Sequence, residues 1–217
     1  MPMLLLFSVH QECTHIISEN YLTNKRFIYS MDRAIKDKSL LDKFCIDFCK
    51  IVERHTPYII VSGFLAIASG RVRGTEDIDM IIPRLSPSVF SKLHDDLYKN
   101  EFVCVQSAAS HEVYDYLKDN ISVRYTWKDK PVPEMEIKFA KDMLDNIQLQ
   151  TKEKIPLTGL DVWFSSVAMN IAFKEEYLKS DKDMEDAKHL RTVYSEKITE
   201  KEITEIRKLI RKIRLGE

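Results

Sequence analysis

The spacing of hydrophobic positions changes several times along the chain, and each change marks an element. Leu40, Leu41, Phe44, Cys45, Phe48, Ile51 and Val52 recur at helical spacing, which predicts an amphipathic helix over 39–55. Ser39 with Asp42 resembles a capping box, and Thr56-Pro57 ends the segment because the residue before proline is pushed out of helical geometry. Residues 58–61 form a short β-branched run and read as a buried strand. Ser62-Gly63 turns the chain, and 64–69 reads as a short helix closing at Gly70. Residues 76–82 become apolar towards Pro83 and predict a second strand. Ser86-Pro87 opens a helix to about Tyr98.

Three further strands are expected at 102–106, 121–127 and 133–139, followed by a mixed connection over 141–160 that includes a short hairpin. Beyond it helix formers dominate. One helix is expected over 164–179, a second capped by Ser180 and Asp183 to about Tyr194, and a third capped by Thr199 and Glu202 to about Leu215. The expected fold is α+β: a mixed β-sheet with flanking helices, followed by a C-terminal helical domain. The corresponding divisions are an extension over 1–36, an α/β domain over 37–158 and a helical domain over 159–217.

Composition narrows the class. The 217 residues are 44% hydrophobic and 31% charged, enough apolar material for a core and unlike a disordered chain. A net charge of -1 excludes a globally basic nucleic-acid binder but leaves room for local patches. The apolar run 1–9 has no basic leader or cleavage site, and the uncharged run 58–70 is shorter than the roughly 20 residues a membrane span needs. Cys13, Cys45, Cys49 and Cys104 form no Cys-x-x-Cys. Cys45 and Cys49 read as small core residues, and no metal site is expected where Cys13 sits near His10 and His15. A soluble protein in the reducing cytoplasm is expected.

The chemistry concentrates after the first strand. In Thr75-Glu76-Asp77-Ile78-Asp79-Met80, strand periodicity projects Asp77 and Asp79 to one face, roughly 6.5–7 Å apart at the backbone, with Ile78 and Met80 towards the core. Paired carboxylates suit a hard cation such as Mg²⁺ (or Mn²⁺) shared with substrate phosphates. Ser62 and Gly63, at the start of a short helix, offer a hydroxyl and close backbone approach for a phosphate. No Gly-Lys-[Ser/Thr] follows, so this is not a P-loop. An ordinary helix cap and a solvated acidic strand end remain the plain alternatives.

The run Ile60-Val61-Ser62-Gly63, continued by Gly70-Arg71-Val72-Arg73-Gly74-Thr75-Glu76-Asp77-Ile78-Asp79, resembles the nucleotidyltransferase superfamily of the DNA polymerase β type. It looks most like the small prokaryotic branch that includes abortive-infection-type toxins and minimal nucleotidyltransferases. Phe173-Lys174 and Ser180-Asp181-Lys182-Asp183-Met184-Glu185-Asp186-Ala187 resemble the Lys-Asp-x-x-Asp helix of that branch, so the likeness spans roughly residues 40–193. Two departures stand out: Ser62 occupies the place of the family's first turn glycine, and Ser165, Ser166 and Asn170 fall where relatives often carry an acid.

The resemblance implies a third acid on a neighbouring strand. In Pro133-Glu134-Met135-Glu136-Ile137-Lys138-Phe139, Glu136 fits the hydrophobic-acid-hydrophobic position and Glu134 is the second choice. Asp77, Asp79 and Glu136 are then the catalytic and metal-binding set. Arg71, Arg73, Lys138, Lys174 and Lys182 join Ser62 and Gly63 as nucleotide-binding candidates, with Asp183 and Asp186 orienting Lys182 or favouring the helix start. The implied reaction transfers a nucleoside monophosphate from a nucleoside triphosphate such as ATP or CTP to a hydroxyl on RNA or protein, releasing pyrophosphate. Arg207, Lys208, Arg211, Lys212 and Arg214 form a basic stretch that suits either an RNA backbone or the helix dipole. The competing class is a non-catalytic nucleotide-binding module, such as one half of a toxin–antitoxin pair, against which the complete acid set counts.

Overall fold

The computed structural model describes residues 38–217; the expected extension over 1–36, with His10, Cys13 and His15, lies outside them. The described residues make one compact unit. Helix α1 (Leu40–Val52) is capped reciprocally by Ser39 and Asp42 and buries Phe44, Phe48 and Val52. Strand β1 (Ile59–Val61) leads through Ser62 into the short helix α2 (Gly63–Ala68), and β2 (Asp77–Ile82) follows. Helix α3 (Pro87–Lys99) is capped by Ser86, and β3 (Phe102–Cys104), α4 (Ser110–Lys118), β4 (Val123–Trp127) and β5 (Glu134–Phe139) complete the α/β part.

The five strands form one sheet in the order β1-β2-β5-β4-β3, with β2 parallel to β5 and the other neighbours antiparallel. This is the expected mixed α+β architecture. One sheet face buries Ile78, Met80, Ile82, Met135, Ile137 and Phe139. There α1 contributes Phe44, which meets Trp127 edge-on at 5.0 Å between ring centroids, and Phe48, which meets Phe102 in the same way at 5.0 Å. The opposite face is only partly covered. Ile81 packs with Ile59, Ala140 and Leu149 at one end, and the acidic positions stay open at the other.

After β5 come α5 (Met143–Gln150), a 3₁₀ turn (Pro156–Thr158), α6 (Val167–Phe173), α7 (Asp181–Val193) and α8 (Glu200–Ile210). The chain leaves α6 and α8 through widened π-type turns, Lys174–Leu178 and Arg211–Leu215. No interruption separates the helices from the sheet. The Ile60 N–H donates to the Trp163 carbonyl at 2.8 Å, and the Ser165 N–H donates to the Ile60 carbonyl at 3.0 Å, so 163–165 runs along the β1 edge. Helix α7 packs on α2, and α8 packs on α6.

Local chemistry explains where the elements differ from expectation. The hairpin expected within 141–160 is instead α5, whose Asp142 side chain accepts from the Asp145 N–H as an N-cap. Helix α4 was not expected, because it buries only Val113 and Leu117 and so has almost no apolar stripe. Residues 164–166 are extended rather than helical because Phe164 bridges to Ile60 and Glu153, and Ser166 caps α6 one residue later. Among the described residues no helix is long and apolar enough to cross a membrane.

Candidate active site

The acids lie on the parallel pair at the centre of the sheet. In the β2–β5 register Asp77 stands opposite Glu134, Asp79 opposite Glu136 and Ile81 opposite Lys138. Parallel pairing keeps side chains of one parity on the same face, so two carboxylate rungs are stacked along the open face. Apolar neighbours on both strands are buried beneath them and fix that orientation.

Two cations already sit among these acids. The Lys138 Nζ lies 3.2 Å from an Asp79 carboxylate oxygen and 3.9 Å from one of Glu136. The Arg124 Nε lies 3.6 Å from both Glu134 and Glu136. Burial raises the Glu134 carboxyl above the usual glutamate range; Arg124 opposes this, while the charges of Asp77 and Glu76 add to it. Glu134 is therefore part of the acidic cluster, as the second-choice reading of its strand allowed. Among the described residues no three carboxylate, imidazole or thiol groups approach closely enough to complete an ion site alone. The donors are nonetheless all carboxylate oxygens, and Asp79 and Glu136 converge on one positive charge. Mg²⁺ is commonly held by one or two carboxylates with phosphate oxygens supplying further ligands, so this set fits Mg²⁺ or Mn²⁺.

Asp79 and Lys138 open into a cleft of about 260 Å³ between the sheet, α5 and α6. Ser62, Lys141, Lys174 and Arg214 also line it. Ser62 itself has φ 68° and ψ -138°, a backbone conformation that favours glycine, and it makes no side-chain cap to α2. Gly63 is buried rather than open. A Cβ there would come within 3.0 Å of the Arg73 guanidinium, so the missing side chain is what lets Arg73 lie against the turn.

The remaining cations divide. Asp186, fully buried on α7, receives Arg71, Arg73 and Lys174 together, with Lys174 Nζ at 2.8 Å. Arg71 also pairs with Glu185 and donates to the Lys182 carbonyl at 3.1 Å. Lys174 additionally meets Asp183 at 3.1 Å, and burial pushes its ammonium below the usual lysine range against the pull of that carboxylate. Asp183 and Asp186 thus hold Lys174 rather than Lys182. The Lys182 side chain is exposed and does not line the cleft.

The C-terminal basic stretch is largely neutralised. Arg207 and Arg211 pair with Glu176, Lys208 pairs with Glu205, and Arg214 pairs with Asp142 and Asp145. That accounts for most of its charge without a nucleic acid. Arg214 is the member that sequence reasoning left out of the site. Its only signal was a cation on the inner side of the last helix, and the carboxylates that draw it inward come from α5, where a hairpin was expected.

A strand, a Ser-Gly turn and a short helix precede an Asp-x-Asp strand that runs parallel to an acid-bearing neighbour. With the mixed sheet and flanking helices, these features make up the α+β arrangement expected from the sequence. No family model and no curated protein matches the chain. Among solved structures, it is similar to the antibiotic-resistance factor ANT(2'')-Ia at 14% identity, over 81% of this chain and 95% of that one, with a TM-score of 0.48. It is also similar to an antigenic nucleotidyltransferase-like protein from Paracoccidioides brasiliensis at 18% identity, over 80% of this chain and 88% of that one, with a TM-score of 0.47.

Proposed function

We propose that the protein is a metal-dependent nucleotidyltransferase that moves a nucleoside monophosphate from a nucleoside triphosphate to a hydroxyl acceptor and releases pyrophosphate. The observation that carries this reading is the β2–β5 register, in which Asp77 and Asp79 face Glu134 and Glu136 beside a cation-lined cleft. Four acids on one open face serve no packing purpose, and Lys138 and Arg124 offset only part of their mutual repulsion.

Asp77, Asp79 and Glu136 would hold Mg²⁺ or Mn²⁺. When bound, the ion would neutralise phosphate charge and favour the deprotonated acceptor. Lys138, Lys174, Lys141 and Arg214 would draw the triphosphate into the cleft and balance the charge that accumulates on the departing pyrophosphate. Ser62 would add a hydroxyl donor at the cleft edge. The acceptor oxygen attacks the α-phosphorus in line, the bond to the β-phosphate oxygen breaks, and the hydroxyl proton passes to the acidic face. Arg71 and Arg73 act one step back, holding α7 and Lys174 in place through Asp186. The acceptor is an RNA 3′ end or a protein hydroxyl, and cytoplasmic action suits either.

The test is calorimetric titration with ATP and CTP with and without Mg²⁺, followed by a pyrophosphate-release assay over RNA and protein acceptors. Metal-dependent binding followed by release supports the reading. Binding with no release on any acceptor would favour a nucleotide-binding module, such as a toxin–antitoxin component. Absence of binding would overturn both.

A further inference from the structure

The inner end of the cleft has a chemistry of its own. Asn170, Phe173, Lys174 and Tyr177 recur at the spacing that puts side chains on one helical face, and all four line the cleft. Asn170 is buried, and both of its amide hydrogens are committed: Nδ2 donates to the Ser165 carbonyl at 2.9 Å and to the Ser166 carbonyl at 3.0 Å. These two bonds fix which way the amide points. They leave its Oδ1 without a hydrogen-bond partner among the described residues.

The neighbouring amide is committed only in part. Gln148 Oε1 accepts from the Ser165 hydroxyl at 2.9 Å, and its Nε2 donates towards Asp145 at 3.4 Å. Its second Nε2 hydrogen has no partner among the described residues, so the cleft sets one spare acceptor, Asn170 Oδ1, near one spare donor, Gln148 Nε2. Beside the acceptor Phe173 and Tyr177 meet edge to face at 6.2 Å between centroids, and the Arg214 guanidinium lies 5.7 Å from the Phe173 ring. A flat ring can pack against such a wall.

Along this stretch the cleft thus offers a hydrogen-bond acceptor at Asn170, then the Phe173 ring, then the Lys174 cation, with Tyr177 beyond it. That order matches a nucleoside triphosphate read from base to phosphates. Resting on the nucleotidyltransferase reading, we infer that the Asn170–Phe173 end seats the nucleobase and selects one bearing an exocyclic amine, adenine or cytosine, over its oxo counterpart. An amine N–H donates to the fixed Oδ1. A ring oxo group in the same place would set lone pair against lone pair, which is the arrangement that discriminates between the two.

The experiment compares ATP with inosine triphosphate, which differ at this position in a 6-amino against a 6-oxo group and carry identical phosphates. Calorimetry on the full chain with Mg²⁺ should give ATP the tighter binding by about tenfold or more, the scale of one hydrogen bond kept or lost. CTP should exceed UTP in the same sense. Asn170→Ala should bring ATP down to the affinity of inosine triphosphate while changing the latter by no more than about twofold. If that variant does not fold, the wild-type comparison decides alone. Equal binding of ATP and inosine triphosphate overturns this inference and leaves nucleotide binding standing. If neither binds, both readings are overturned.

Discussion

At the scale of single residues the turn at Ser62 and Gly63 is where sequence and geometry conflict most sharply. Ser62 adopts φ 68°, a conformation that costs a side-chain-bearing residue about 1 kcal/mol or more. Ser62→Gly should therefore raise the melting temperature by about 2–4 °C in a thermal scan, the shift expected for 1 kcal/mol in a domain of this size. If the cleft uses the Ser62 hydroxyl, the same variant binds triphosphate less tightly. Gly63→Ala should act in the opposite direction, because its methyl group meets an Arg73 guanidinium tied to Asp186. The most costly single change is expected at Asp186. Removing its charge leaves Arg71, Arg73 and Lys174 without their shared buried partner, and Asp186→Asn should lose about 3–5 kcal/mol in denaturant unfolding.

At the scale of elements, helices with full signals were legible. α1, α3, α7 and α8 each begin with a side-chain cap visible as a Ser or Thr three residues before its backbone donor, and each was expected. Strand β5 was legible down to the face of each side chain, because strict alternation over Glu134–Phe139 admits one register with the core. α4 and α5 were not, since one buries two apolar residues and the other continues an irregular connection. The role of Glu176 was also hidden, because its partners Arg207 and Arg211 lie far along the chain. The Arg207 guanidinium hydrogen-bonds its carboxylate and holds it below the usual glutamate range, despite burial. A carboxyl depressed on folding contributes stability that is present above its unfolded pKa, near 4.5, and lost as pH falls through the lower folded value. Stability measured from pH 6 downward should therefore fall less steeply in Glu176→Gln than in wild type. An identical acid limb in both would mean that Glu176 does not anchor α8.

At the scale of the whole molecule, the shared face of Asp77 and Asp79 and the side of its strand that Glu136 takes were readable because both strands alternate strongly. What sequence could not supply was the partition of the cations. Lys174 faces both the cleft and Asp186, Arg71 and Arg73 serve the Asp186 network, Lys182 faces solvent, and Arg214 reaches inward from the last turn. Those assignments depend on how the helices dock along the β1 edge, a set of contacts distant in sequence. The acidic rungs are either a metal-and-nucleotide site or a solvated surface, and the proposed function requires the first. The most direct test is Mg²⁺-dependent ATP binding by calorimetry in wild type and Asp79→Asn, with a melting curve for each. Wild type should bind only with the metal, and Asp79→Asn should lose binding while melting at or above the wild-type temperature, since one of several crowded like charges is gone. Metal-independent binding that Asp79→Asn leaves unchanged, or a large drop in its melting temperature, would contradict the proposed function.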